Sequence, residues 1–268
     1  MPFTARPPAQ RDVFREGVFL VAGARAILLQ VAHPSVGAGF AEHSDFVHRA
    51  LGRLHGTLTY LYALQYGSEE DVRTVRRRVN RAHGPVRGAG YTAFDPELQR
   101  WVAATITQSM LQLHEGAFGA LGAEEADEIV HRSRVVGTAL QMPEELWPAS
   151  RADFDAYWEA ELARLEVTPA ARRVAHDLLG GGIAAWWLRP LGPYLRLMTA
   201  GLLPPHVRAG FGFRWSPRQQ ARFDRALART FAVYRLLPTA VRTAPSRFYL
   251  ARVRAESLAH RESVRSRA

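Results

Sequence analysis

Five times along this chain a short polar residue stands where a helix start has a use for it. Ser68 precedes Asp71 by three positions and Ser150 precedes Asp153 by three, the spacing of a capping box with Asp in place of the usual Glu. Asp95-Pro96, Thr168-Pro169 and Ser216-Pro217 each place a capping oxygen before a proline, whose missing N–H is no loss in the first helical turn. Runs of alternating Val, Ile or Thr bounded by Asn-Gly or Asp-Gly turns are scarce. The expected fold class is therefore all-α, a multi-helix globular domain over 1–268, with 240–268 a basic C-terminal helix or tail. Helices are expected near 12–32, 38–48, 50–66, 69–83, 96–118, 123–140, 151–165, 169–179, 193–202 and 217–236. Gly180-Gly181-Gly182 and the prolines from Pro190 to Pro205 mark a loop-rich crossing between two helical groups.

Composition removes several chemistries. With no cysteine there is no disulfide, thiolate-ligated haem, cysteine-bound iron–sulfur cluster or cysteine nucleophile. The net charge is +10, and because the chain has no lysine all 35 cationic side chains are arginine. Arginine pairs with carboxylates and phosphates through a planar fork. Much of the excess falls between Arg214 and Arg267, which reads as a solvated helix face and tail. The Pro-rich polar start does not look like a signal peptide. The apolar stretches 18–31 and 178–203 are interrupted by Arg25, and by Arg189, Arg196 and prolines. Neither predicts a spanning helix. The expectation is a cytoplasmic protein, with peripheral membrane contact left open for the second stretch, where Trp186 and Trp187 lie.

Several catalytic patterns begin and fail. His114-Glu115 opens a zinc-protease pattern, but Phe118 stands where the second histidine belongs. Glu128 and His131 have the spacing of a di-iron ligand pair, without the second pair such a centre needs. Gly88-Ala89-Gly90 lacks both the third glycine and the preceding strand of a dinucleotide loop.

The histidines are unevenly placed. Seven of ten lie between His33 and His131, and four of them (His33, His43, His48 and His55) fall within 23 residues. Their spacing matches no zinc-ligand pattern. His83 differs in its setting, because Gly84-Pro85 ends an arginine-rich helix abruptly after it. A histidine held there points in a fixed direction, which suits a metal ligand and equally suits capping of the last helical carbonyls.

The segments Leu29-Gln30-Val31-Ala32-His33-Pro34, Glu42-His43-Ser44-Asp45-Phe46, Arg53-Leu54-His55-Gly56-Thr57, His83-Gly84-Pro85-Val86-Arg87, Asp95-Pro96-Glu97-Leu98 and Leu197 to Pro205 occur in one order. In that order, over roughly residues 10–240, the chain resembles the mpaB-type oxygenases and rubber oxygenases, which include the latex clearing proteins. The resemblance implies an all-helical fold related in outline to globins. It also implies haem b, and an apolar substrate, with isoprenoid or lipid-like molecules as candidates, oxidised with O2. His83 matches the family's proximal iron ligand, and Arg53 and Thr57 match residues near the haem. Glu42 falls near the family's distal glutamate, and Gly56 stands where the family has a lysine. With no lysine in the chain, the distal position is left to water, His33 or His43.

Haem requires a neutral imidazole, a large apolar slot and cations for two propionates. His83 supplies the first and is the expected metal ligand; Arg53 and Arg87 are candidates for the propionates. The apolar faces of 18–31 and 58–64, with Tyr60 and Tyr62, are candidates for lining the slot or for plain core. Glu42, His43 and Thr57 are the expected catalytic proton donors or acceptors, and His33 is placed with the cofactor-binding residues. Three other readings remain at this point. One is a haem carrier or sensor without oxygenase activity. Another is a basic helical nucleic-acid-binding protein, against which stands the lack of a clear helix-turn-helix signature. The third is a non-haem metal enzyme built on the histidine cluster.

Overall fold

The computed structural model describes residues 12–43, 46–88, 90–179 and 190–265, apart from the side chains of 41–51 and 260–265. The described chain is almost wholly helical, which makes the protein all-α. Two 3-10 turns, Val13–Arg15 and Gly17–Ala22, lead into α1 (Gly23–Ala32). Then come α2 (Pro34–His43), α3 (Phe46–Tyr66), α4 (Glu69–His83) and α5 (Pro96–Phe118). These are followed by α6 (Ala123–Ser133), α7 (Val135–Thr138), α8 (Arg151–Arg164) and α9 (Pro169–Leu179). The last group is α10 (Gly192–Leu202), α11 (Pro205–Gly210), α12 (Pro217–Leu236), α13 (Thr239–Arg242) and α14 (Ala244–Arg265). A short antiparallel hairpin, β1 (Arg87–Gly88) with β2 (Tyr91–Thr92), follows α4 and pairs Arg87 with Thr92.

Each of the five start marks is used. Ser68 and Asp71 form a reciprocal capping box, and Ser216 forms one with Gln219. Asp95 accepts from the Glu97 amide, Ser150 from Asp153 and Thr168 from Ala171. Such caps satisfy N–H groups that no helix can bond internally. The expected 69–83, 96–118 and 217–236 helices therefore begin where the caps place them.

Elsewhere the expected boundaries need correction. The expected 12–32 helix is two 3-10 turns and then α1, with a tight fit at Gly17. A Cβ there would lie 3.0 Å from the Arg242 carbonyl and 3.1 Å from Pro245. The expected 38–48 helix starts earlier, at Pro34, whose ring suits a first helical turn. The expected 123–140 helix divides into α6 and α7 at Arg134.

At the centre lies α5, against α1, α6, α7, α12 and the second 3-10 turn. Ala103, Ala104, Thr105, Thr107 and Ser109 are all buried on it, and their small volume lets neighbours approach closely. The hydroxyls bond back to carbonyls of the same helix, Thr107 to Ala103 at 2.9 Å and Ser109 to Thr105 at 2.7 Å. They are thus buried without leaving a polar group unsatisfied. Trp101 stacks on Trp158 at 5.3 Å and donates to the Leu29 carbonyl at 3.3 Å, tying α5 to α8 and α1.

Arg25, which breaks the apolar run in the sequence, is 3 % exposed. It donates to the carbonyl of Leu202, the last residue of α10, at 2.9 Å and to Ser109 at 2.6 Å. A cation at a helix C-terminus meets the negative end of the dipole, which offsets part of its desolvation. Burial nevertheless pushes this guanidinium down to about 10. Among the described residues no single helix is long and apolar enough to cross a membrane.

Candidate functional site

The break after α4 decides where His83 lies. His83 is the last residue of that helix, and Gly84 bonds back to the Asn80 carbonyl at 3.0 Å before Pro85 turns the chain into the hairpin. The hairpin returns over α2. A Cβ on Gly39 would lie 3.2 Å from the Tyr91 ring and 3.3 Å from Val86, so the hairpin packs tightly on α2 at this glycine. Next on α2, Phe40 lies under the Arg53 guanidinium of α3 at 4.5 Å. The charge of Arg53 in turn acts on His83. Three helix segments and the hairpin thus converge on one half-buried imidazole.

Nδ1 of His83 is buried with no hydrogen-bond partner among the described residues. Burial pushes this imidazole below its ordinary value, and the positive charge of Arg53 pushes it further the same way. Both effects hold the ring neutral, the form that can donate a lone pair to a metal. An orphaned buried ring nitrogen costs about 1–3 kcal/mol, and no described hydrogen bond joins this nitrogen to the last carbonyls of α4.

His33 closes α1 with its own amide bonded to the Gln30 carbonyl at 3.2 Å. Its Nδ1 is also buried without a partner. Its burial lowers the pKa, and here Glu161 and Asp95 pull the other way. His33 therefore sits in an acidic neighbourhood and His83 in a basic one, and no described contact joins them. Thr57 lies one turn beyond Arg53 on α3 and is exposed. Arg87 is exposed on β1. Glu42 and His43 end α2, with side chains outside the described residues. Trp186 and Trp187 also fall outside them.

His55 is a scaffold residue: its Nδ1 lies 2.6 Å from the Tyr249 hydroxyl, joining α3 to α14. The 18–31 and 58–64 faces pack as core. Leu28, Leu29 and Val31 are fully buried, and Tyr60 donates to the Val136 carbonyl at 2.8 Å. Beside Tyr62 the only gap described is about 30 Å³, room for about one water. Neither that gap nor the larger cleft near α12 borders His83. The sequence marks Arg25 only as an interruption of an apolar run and does not single out Phe40; their roles depend on contacts between helices, which leave no local signal.

Residues 11–233 match the catalytic domain family described as ER-bound oxygenase mpaB/B'/rubber oxygenase. An uncharacterized protein of Mycobacterium bovis is 34% identical over 222 residues, covering 79% of this chain and 87% of its own length. An uncharacterized protein of Mycobacterium tuberculosis matches with the same identity and coverage. No solved structure matches. With the family's catalytic domain matched over most of the chain, this protein belongs to the mpaB and rubber oxygenase catalytic-domain family.

Proposed function

We propose that the protein is a b-type haem-dependent oxygenase acting on an apolar substrate with O2, and that His83 is the iron's protein ligand. The observation that carries this reading is the half-buried His83 imidazole, whose Nδ1 is buried without a hydrogen-bond partner among the described residues, with the charge of Arg53 acting on it. When bound, haem would supply O2 binding and the redox change for oxidising a carbon skeleton.

The chain's own residues do the rest. His83 orients the group, because the Gly84-Pro85 break fixes the direction of the ring. Arg53 and Arg87 would hold the two propionates by charge-assisted hydrogen bonds. Arg53 is steadied for that role by the Phe40 ring beneath it. Thr57 lies on the same face of α3, four residues on, where a hydroxyl can orient a polar atom of the substrate. Glu42 and His43, on the last turn of α2, hold or move the proton that oxidation requires. Gly56, where the family has a lysine, leaves open space beside α3, and with no lysine in the chain a second iron ligand would have to be water or a histidine.

The test is an absorption spectrum of protein produced with added haem, beside His83→Ala. A Soret band in the wild type that is lost in the variant supports the ligand assignment. A band unchanged by the substitution overturns it. Oxygen uptake with an apolar polyene then separates an oxygenase from a haem carrier, which would bind haem without consuming O2.

A further inference from the structure

A second site lies away from His83, in a cleft of about 450 Å³ where α10 and α12 meet the turn after α11. Its walls are apolar and aromatic: Leu197, Phe213 and Trp215 are half-buried in it. Its rim carries Arg196, Arg214 and Arg222, all exposed. None of the three has a carboxylate partner among the described residues. Other arginines do pair: Arg151 with Glu115 at 3.1 Å and Asp155 at 2.9 Å, and Arg78 with Glu256 at 2.7 Å. Among the described residues, the positive charge around the cleft is therefore not paired with a carboxylate.

The walls are held open by their own bonds. Trp215 donates to Gln220 at 2.7 Å, lies under the Arg208 guanidinium at 4.3 Å and meets the Phe223 ring edge-on at 6.1 Å. Gly212 takes the left-handed conformation, φ +76°, which ends α11 and turns residues 213–215 onto the cleft. The first turn of α12, whose Gln219 also lines the cleft, adds the positive end of a helix dipole. A concave apolar floor with three arginines on its rim suits a ligand with an oily body and an anionic end. At ~30 Å³ for each water-sized group, the cleft takes about fifteen non-hydrogen atoms.

We infer that this cleft binds a small amphipathic anion: an oxyanion head, phosphate or carboxylate, on a hydrocarbon chain of about ten carbons. The head lies among Arg196, Arg214 and Arg222, and the chain runs along Leu197, Phe213 and Trp215. The site shares no residue with the His83 cluster and does not depend on haem.

The experiment is titration calorimetry of the full chain with decyl phosphate below its micelle concentration, alongside decanoate, decanol and inorganic phosphate. One saturable site is expected for decyl phosphate, with decanol and inorganic phosphate weaker by about tenfold or more. Equal binding of decanoate assigns the site to oxyanions generally, and a phosphate preference narrows it to phosphate; either result supports the site. Arg214→Gln and Arg222→Gln are each expected to weaken binding by about tenfold, and Arg214→Lys by less. Both arginines are exposed, so melting temperatures should not move, and unchanged far-UV dichroism confirms that the variants fold. His83→Ala should bind decyl phosphate as the wild type does, whatever becomes of its spectrum. Decanol binding as tightly as decyl phosphate, binding indifferent to both arginine substitutions, or no saturable binding would each overturn the proposal. So would arginine-dependent binding to phosphatidylglycerol vesicles with none to monomeric decyl phosphate, which would make the patch a membrane contact.

Discussion

Arg242 donates to Glu16 at 2.9 Å across 226 residues of chain, and the two side chains are 9 % and 4 % exposed. Tyr234 adds a hydrogen bond to the other Glu16 oxygen at 2.6 Å, and itself accepts from the Val18 amide at 3.1 Å. The entry of the chain is thereby tied to the helices at its far end. Removing one partner leaves the other charge buried, which costs far more than the pair contributes. Glu16→Gln should lower stability by about 3–5 kcal/mol, read as a fall in the denaturant midpoint at unchanged slope. A change under ~0.5 kcal/mol would show that the pair is solvated.

Arg25 should be costly to replace even though it has no carboxylate. Arg25→Met keeps the volume and removes the bonds to the Leu202 carbonyl and Ser109. A loss of about 1.5–3 kcal/mol is expected, the range for hydrogen bonds to a charged group. An equally stable variant would mean that desolvating the guanidinium cancels those bonds.

The Arg53–His83 relationship predicts a pH dependence that needs no cofactor. His83 lies below its ordinary 6.5 in the folded chain. Below that pH the unfolded chain takes up a proton that the folded chain refuses. Stability from this group is therefore complete above pH 6.5 and is lost as pH falls towards the folded value. His83→Gln should flatten the acid side of the stability profile in part, since His33 shifts in the same direction. By NMR, Arg53→Gln should move the His83 titration upward, because a repelling charge is gone. A midpoint that stays where it was would separate the two residues.

Gly56 tests the departure from the family directly. A Cβ there meets nothing within 4 Å, and the position is inside α3. Gly56→Lys should therefore stabilise the helix by about 0.5–1 kcal/mol, a rise of ~2–4 °C in melting temperature. In haem-loaded protein the new amine should also shift the Soret maximum. A Soret maximum unchanged by Gly56→Lys would show that the amine does not reach the haem.

Much of the fold was legible because its signals are local. A Ser or Asp cap acts on amides two or three residues away, so Ser68, Asp95, Ser150, Thr168 and Ser216 place helix starts without reference to the rest of the chain. The break at Gly84-Pro85 is equally local, and with it the end of α4 at His83. α11 and α13 went unmarked because they are only six and four residues long and carry no side-chain cap. The candidate site was legible in its residue types and family pattern, but its arrangement was not.

The sequence by itself determined the helical class, most helix starts, the family and the absence of thiol and lysine chemistry, since each depends on residue type or near neighbours. Only the tertiary structure decided which histidines are committed elsewhere. It gives His55 to Tyr249, sets Arg53 beside His83 and leaves Nδ1 of His83 buried without a partner. It also gathers Arg196, Arg214 and Arg222 around one apolar cleft. These outcomes depend on distance and desolvation between groups tens or hundreds of residues apart. Such terms are fixed when helices pack and have no counterpart in the order of the letters.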